Sequence, residues 1–184
     1  DAKGNYPEVV LSSRVRLARN FNKYKFPLMN DEDDLEKVLE EVADFIAKLD
    51  YLSFYRMKDF SDLEKKVLVE KHLISPAHSG ETEQKGLVLD PKGALSIMVN
   101  EEDHLRIQCF AAGLDLEKVF ADANRLDDLL EEIIDYAYDE RYGYLTTCPT
   151  NLGTGLRVSV MLHLPGLLLT KKAGPILKQL SQLG

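Results

Sequence analysis

The chain has 184 residues, of which 45% are hydrophobic, and this supports one sizeable core, so we expect a single domain over residues 1–184. Its formal net charge of −8 disfavours nonspecific nucleic-acid binding, although a local basic pocket is compatible with it. We see no signal peptide at the start of the sequence and no apolar run of the roughly 18 residues that a membrane span needs. Two cysteines predict no disulfide framework, so a reducing cytoplasm is the expected compartment.

The first predicted element is a strand over Val9–Leu17. Within it Arg14 and Arg16 alternate with Val15 and Leu17, so both guanidinium groups point to one side of a sheet. An exposed amphipathic edge strand would give the same pattern. Arginine is concentrated in a few places, however, and lysine supplies most of the other positive charge, which favours a dedicated arginine site.

The next elements are a helix over Asp34–Leu49 and a strand over Leu52–Met57. The acidic run that begins at Asp31 is interpreted as a helix start, because carboxylates near a helix N-terminus complement the helix dipole. The polar segment Ser75–Lys85 is predicted to be a mobile surface loop, with His78 facing solvent.

Three strand segments and a charged run follow. A hairpin turn at 90–93 joins strands over Gly86–Leu89 and Ala94–Val99, and a further strand covers Leu105–Phe110, with Cys109 in the core. Between the last two strands lie Glu101, Glu102 and Asp103, followed by a histidine and Arg106. Such a run is often a solvated turn, but apolar strands on both sides would place it at the mouth of a sheet, where a carboxylate can be tuned as a base.

The last elements are a helix over Leu116–Tyr138 and a strand over Leu156–Leu164. The segment between them reads CPTNLGTGLR, with Cys148 at its start and Arg157 at its end. Glycine allows sharp turns that present backbone N–H groups, and arginine is a planar fork suited to phosphate, so the segment is typical of an anion site. The segment lacks the Lys-Ser/Thr ending of a P-loop, so it is not one. The alternative to an anion site is an ordinary structured turn. Cys148 is either a reactive thiol or a small buried residue.

Together these elements predict an α+β fold, a largely antiparallel sheet with helices packed on one face. The sequence also resembles the phosphagen (guanidino) kinase family through SSRVRLAR, VNEEDHLR and CPTNLGTGLR, which occur in the family's order. VLVEKHLIS at 67–75 and VSVMLHLP at 158–165 extend the match over nearly the whole chain. The resemblance implies a fold like the catalytic domain of glutamine synthetase and guanido kinases.

Roles for individual residues follow from this resemblance. It implies that nucleotide phosphates are bound by four arginines and that a histidine also contacts the nucleotide: Arg14, Arg16, Arg106, Arg157 and His72. Glu102 would orient the acceptor guanidinium and accept its proton, with Cys148 beside it. The cofactors would be ATP and Mg²⁺, the metal being held by phosphate oxygens and water rather than by protein ligands. The residues themselves leave the division of roles among Glu101, Glu102 and Asp103 open.

The resemblance is strongest to the bacterial branch that phosphorylates arginine side chains of proteins. It implies transfer of the ATP γ-phosphoryl group in bacterial stress response and protein quality control. The implied partners are protein substrates such as a heat-shock repressor, an activator protein, protease–chaperone machinery and a second copy of the chain as a homodimer, with neither membrane nor nucleic acid. The alternatives are a kinase of free arginine or another small guanidino compound, and a non-catalytic nucleotide-binding regulatory module.

The sequence departs from the family pattern in several places. Eleven residues precede Ser12, where small-substrate members have a helical domain, which favours a larger acceptor. Met161, with His163 nearby, stands where metabolic members have a histidine, and a phosphate role for Lys66 is left open. The chain ends at Gly184, before the part of the family that supplies a further arginine and a second carboxylate, so we expect a catalytic domain that is incomplete at its C-terminal end, with weak or absent catalysis on its own.

Overall fold

A six-stranded antiparallel sheet organises the chain. The computed structural model describes residues 4–29, 31–80 and 83–182. The strands are β1 (Val10–Arg19), β2 (Ser53–Arg56), β3 (Gly86–Leu89), β4 (Leu95–Val99), β5 (Leu105–Ala112), β6 (Tyr138–Asp139), β7 (Gly143–Tyr144) and β8 (Leu156–Leu162). The helices are α1 (Glu32–Ile46), α2 (Asp62–Glu70), α3 (Leu116–Glu131), α4 (Pro165–Leu169) and α5 (Ala173–Leu180). The sheet order is β2-β3-β4-β5-β1-β8, while β6 and β7 form a separate pair.

Each long strand predicted from the sequence is present, and every pairing in the sheet is antiparallel. The predicted turn between β3 and β4 is also present. Asp90 Oδ1 accepts a hydrogen bond from the Leu95 N–H at 2.7 Å, and Gly93 has a φ of 67°, which suits glycine. The antiparallel α+β prediction is therefore confirmed.

The main core lies on one face of the sheet, under α1 and α3. Val15 and Leu17 of β1 point into it, as do the apolar stripes of both helices. The acidic run before α1 has the predicted structural role, because Asp31 caps the helix by accepting from the Asp34 N–H. The predicted Leu116–Tyr138 helix ends earlier, at Glu131, yet Ile134 and Tyr136 remain buried, so the apolar pattern continues beyond the helix.

On the opposite face, a second apolar cluster covers the part of the sheet around β3 and β4. It contains Leu87 of β3 and Met98 of β4, together with Met57, which directly follows β2, and Leu68 of α2. Ser61 and Glu64 form a capping box at the start of α2, a helix that the sequence analysis did not identify. This second cluster does not extend over β1 and β8, so this face of those two strands is open.

The prediction that His78 faces solvent is wrong. Its side chain is fully buried, and Nε2 donates to the Gly86 carbonyl at 2.9 Å. The cause is local, because the His78 N–H is held by both the hydroxyl and the carbonyl of Ser75, and the resulting turn folds the ring inward. Residues 81 and 82 of the predicted loop lie outside the described part of the chain.

Cys109 is buried in the core as predicted, and burial raises the pKa of its thiol to about 12. Across the described residues, we find no helix with the length and apolar character needed to cross a bilayer.

Candidate functional site

The open half of the sheet face carries arginines from three adjacent strands. Arg14 and Arg16 of β1 point away from the core, as their alternation with Val15 predicts. In the antiparallel register Arg16 pairs with Arg157 of β8, so both side chains leave the same face. Arg106 of β5 pairs with Ala18 and reaches this face from the other side of β1.

These arginines face one another with little compensating charge. Burial, followed by repulsion from Arg106 and Arg157, lowers the pKa of Arg14. Burial and the neighbouring arginines lower the pKa of Arg16 to about 10. The Arg16 Nε is buried without a hydrogen-bond partner, and among the described residues no carboxylate forms an ion pair with Arg14, Arg16 or Arg157. A cluster of this kind is suited to binding an anion with several oxygens.

One polar contact orients Arg14. Its Nε donates to the Ser159 hydroxyl on β8 at 3.1 Å, across the strand pair in which these two residues are partners. Because that bond uses only Nε, the two terminal nitrogens of the guanidinium are left to face the open sheet.

Glu101 and Glu102 differ in exposure and in partners. The Glu101 side chain is 8% exposed and its carboxylate binds Arg106 at 2.8 Å. The Glu102 side chain is 40% exposed and contacts Arg106 at 3.0 Å with one oxygen. Glu102 is therefore the more accessible of the two carboxylates, whereas Glu101 is engaged within the protein.

Asp103 and His104 hold the surrounding backbone. Asp103 is fully buried and accepts from the Asn20 side chain and the Thr147 N–H, each at 2.7 Å. His104 accepts from the Phe21 N–H at Nδ1 and donates from Nε2 to the Lys25 carbonyl. Burial lowers the pKa of His104 to about 4, so the ring is neutral near pH 7.

The glycine-rich segment wraps around a buried ion pair. Arg19 donates to Asp127 of α3 at 2.6 Å, to the Thr154 carbonyl at 3.0 Å, and stacks 3.6 Å from the ring centroid of Tyr144. Gly155 has a φ of 62°, and a Cβ there would lie 2.5 Å from the Ala18 carbonyl oxygen and would also press on the Arg19 guanidinium. Glycine is thus required for the segment to cross over Arg19.

Cys148 begins the short 3-10 turn Pro149–Asn151 in this segment. Its Sγ lies 3.0 Å from the Thr150 hydroxyl, and the residue is partly exposed. It is not the small buried residue that was the alternative interpretation.

Two cavities meet at Glu102 and Cys148. The first, of about 240 Å³, is lined by Arg16, Arg106 and Arg157 together with those two residues. The second is an open cleft of about 900 Å³ whose charged lining residues are three glutamates and one lysine, Glu83, Glu101, Glu102 and Lys85, and whose wall also carries Cys148. A basic and an acidic cavity therefore share one boundary.

A third cavity, of about 680 Å³, borders the arginine face. It is lined by Arg14 and Ser159 on the sheet, by Phe110 and Met161, and by His72 at the end of α2. His72 has a φ of 59° and is exposed, so its ring is available to a ligand there. Lys66 lines a different surface depression on α2, away from these cavities.

All of the site residues expected from the sequence thus lie on or beside one face, with His72 at its far end. Sequence reasoning missed Ser75, whose hydroxyl contacts Glu101, and the Arg19–Asp127 pair. Arg19 could have been suspected, because it lies an odd number of residues from Arg14 and Arg16 and therefore points to the opposite face of the strand.

The arginine cluster and the adjoining acidic cleft suit a protein that binds an anion with several oxygens. The family model described as the C-terminal catalytic domain of ATP:guanido phosphotransferases matches residues 34–184. The chain belongs to the ATP:guanido phosphotransferase family.

Curated relatives carry a more specific name. The chain is 47% identical over its whole length to a protein-arginine kinase of Symbiobacterium thermophilum, and 49% identical to one of Desulforamulus reducens. It covers 54% and 53% of these proteins respectively, so the chain spans about half the length of the curated relatives it matches.

Solved structures agree on the fold. The duplicated taurocyamine kinase from Schistosoma mansoni, with bound transition-state-analogue components, matches at a TM-score of 0.80 and 26% identity over 96% of this chain and 26% of that one. Lombricine kinase matches at a TM-score of 0.75 and 23% identity, over 90% of this chain and 50% of that one, and supports the fold alone.

Proposed function

We propose that the protein transfers the γ-phosphoryl group of ATP to arginine side chains of other proteins. The observation that carries this proposal is the meeting of a basic cavity and an acidic cleft at Glu102 and Cys148. Phosphoryl transfer needs alignment and neutralisation of spreading negative charge, and a guanidinium acceptor needs a carboxylate.

In this proposal the phosphates of ATP bind Arg14, Arg16, Arg106 and Arg157. Of these four guanidinium groups, Arg106 has carboxylate partners, Glu101 and Glu102. The phosphate oxygens compensate the charge of the other three arginines and relieve their mutual repulsion. The nucleoside end occupies the adjoining cavity beside His72 and Met161. Mg²⁺ bound with the nucleotide would supply further positive charge to the transferred group, and the arginines would share that task.

The acceptor guanidinium occupies the acidic cleft. Glu102 accepts two N–H groups of the guanidinium in the fork geometry and removes a proton as the new N–P bond forms. The O–P bond to the β-phosphate breaks at the same stage and ADP leaves. Cys148 lies on the cavity boundary next to the reacting nitrogen.

Two observations support a protein acceptor over a free guanidino compound. The curated relatives at 47–49% identity are named protein-arginine kinases. The cleft is open and, at about 900 Å³, is at the upper end of small-ligand sites, so it has room for a polypeptide segment around the arginine. We further propose a cytoplasmic role in the stress response, with the partners that the family resemblance implies.

The test is ATP-dependent, acid-labile phosphorylation of an arginine-rich protein, with free arginine in parallel. It is made with this chain and with an extended chain that has the length of the curated relatives. Glu102→Gln in the extended chain is expected to abolish labelling while leaving ATP affinity within about threefold, because the substitution keeps the shape and removes the base.

The outcomes separate the candidate functions. Labelling of protein supports the proposal, and labelling of free arginine alone replaces it with a metabolite kinase. ATP binding without any labelling by the extended chain favours a regulatory module. Loss of ATP binding in Glu102→Gln would show that Glu102 belongs to the nucleotide site instead.

A further inference from the structure

Ser75 lies where the chain crosses the arginine-bearing face after α2. Its N–H approaches the Met98 Sδ at 3.3 Å, and its Oγ accepts the His78 N–H at 3.1 Å. The hydroxyl then donates its own proton to Glu101 Oε1 at 2.6 Å. Both roles of the hydroxyl are therefore used, and its position is fixed from two sides.

The Glu101 carboxylate that receives this bond is engaged at both of its oxygens. Oε1 accepts from Ser75 and from Arg106 Nη1 at 3.1 Å. Oε2 forms an ion pair with Arg106 Nη2 at 2.8 Å and accepts a hydrogen bond from the backbone N–H of Glu102 at 2.9 Å. Three hydrogen bonds and one ion pair therefore engage both oxygens of Glu101 within the protein, which leaves it little capacity for a metal or a substrate.

Glu101 thus connects two groups that the proposed reaction needs. It holds the guanidinium of Arg106 in the basic cavity, and it holds the backbone from which the Glu102 side chain extends to the acidic cleft. The remaining contact, with Ser75, ties this carboxylate to the segment that follows α2.

We propose that Ser75 is a positioning residue for phosphoryl transfer, acting through Glu101 on Arg106 and Glu102. The inference rests on the proposed function and adds a residue that does not touch either substrate. Without the hydroxyl, Glu101 loses its shortest hydrogen bond and can rotate, and both dependent groups then shift together. Misplacement of reacting groups by about 1 Å can cost on the order of 100-fold in rate.

The charge state of Glu101 provides a second readout. Burial alone would raise the pKa of Glu101, but the Ser75 hydrogen bond and the charge of Arg106, with smaller contributions from the Glu102 N–H and His78, hold it below its ordinary value. Removing the hydroxyl raises this pKa, so Glu101 becomes protonated, and releases Arg106, at a higher pH.

The experiment compares Ser75→Ala, Ser75→Thr and Ser79→Ala in the extended chain. Ser79 is the matched control, because it lies on the same turn and its hydroxyl donates to the Pro76 carbonyl rather than to Glu101. Ser75→Ala is expected to lower kcat by about 10-fold to 100-fold with the KM for ATP within about threefold, since Arg14, Arg16 and Arg157 remain. The acidic limb of its pH–rate profile should move to higher pH.

Ser75→Thr keeps a hydroxyl and should recover most of the lost kcat, while Ser79→Ala should match the wild type. A Ser75→Ala variant with wild-type kcat and an unmoved acidic limb would overturn the inference and leave the proposed function intact. Equal losses in the alanine and threonine variants would also overturn it, because the hydroxyl would not be the cause. A wild-type extended chain that phosphorylates no arginine acceptor would overturn the proposed function and this inference together.

Discussion

Arg16 of β1 and Arg157 of β8 are directly opposed partners in the antiparallel register, and both extend from the open face of the sheet. Like charges in this arrangement destabilise a strand pair. Burial and the nearby arginines already lower the pKa of Arg16 to about 10, and no carboxylate among the described residues pairs with either side chain. An anion bound between the two groups would relieve this repulsion.

Replacing Arg157 by Ala should therefore affect binding and stability in opposite directions. ATP affinity should fall by about 10-fold to 100-fold, because charge-assisted hydrogen bonds are worth about 1.5–3 kcal/mol each. The free energy of unfolding should stay level or rise by up to about 1 kcal/mol, because the repulsion is relieved.

Calorimetric ATP titration and urea unfolding of the same samples provide the two measurements. Arg125→Ala is the control, since Arg125 is an exposed residue on α3, the helix that packs on the opposite face of the sheet. An unchanged ATP affinity would remove Arg157 from the phosphate site.

Two buried histidines should make the fold sensitive to mild acid. Burial lowers the pKa of His78 and of His104 to about 4, below the ordinary 6.5. Between these values the unfolded chain binds protons that the folded chain does not, so stability falls as the pH falls through this range. Going from pH 7 to pH 5 should cost about 2 kcal/mol for each histidine.

Urea unfolding of wild type and His78→Gln at both pH values measures this effect. Glutamine offers an amide donor for the Gly86 carbonyl but does not titrate, so the pH-dependent loss should shrink by about half. His163→Gln, at an exposed position, should leave the loss unchanged. A His78→Gln variant with the full wild-type pH dependence would mean that His78 is charged in the folded state.

The contrast between Arg14 and His78 explains how far the sequence could be interpreted. The period-two alternation around Arg14 is a local signal, and it correctly predicted β1 and the side of the sheet on which its arginines lie. His78 sits in a polar segment with no periodicity, and its burial depends on the Ser75 turn and on Gly86, which comes from the next strand. Helix α2 escaped prediction for a related reason, because it buries only Leu68 and its apolar stripe is weak.

The division of labour between Glu101 and Glu102 also needed the structure. Both residues are glutamates in one hairpin loop, and the sequence gives them the same chemistry. What separates them is Ser75, which lies 26 positions from Glu101 in the sequence. Its hydroxyl donates a hydrogen bond to the carboxylate of Glu101 and not to that of Glu102. Contacts over such separations are set by tertiary packing and leave no pattern in the sequence.

The Arg19–Asp127 pair should be critical for stability. Both side chains are about 5% exposed or less, and removing one partner of a buried ion pair leaves the other charge without compensation. Asp127→Ala should lower the free energy of unfolding by about 3–5 kcal/mol. Because Arg19 also holds the Thr154 carbonyl, ATP affinity of the remaining folded protein should fall as well.

Urea unfolding checks the stability change against Asp128→Ala, a neighbouring acidic residue that is exposed on the same helix. The double variant Arg19→Met with Asp127→Ala should regain part of the loss, because no unpaired charge is then buried. A single variant as stable as the Asp128 control would show that Asp127 does not compensate Arg19.

The two cysteines should differ sharply towards a thiol reagent. Cys109 is buried and its pKa is raised to about 12, so it is a poor nucleophile at neutral pH, whereas Cys148 is partly exposed on the boundary of both cavities. Brief treatment with iodoacetamide should therefore add one carbamidomethyl group, located at Cys148 by peptide mass mapping. Saturating ATP with an arginine acceptor should slow the reaction, because both ligands flank the thiol.

Cys148→Ser should abolish the labelling and, in the extended chain, lower turnover by about 10-fold while leaving ATP affinity nearly unchanged. Modification of Cys109 first, or full turnover in the serine variant, would place Cys148 outside the reacting centre.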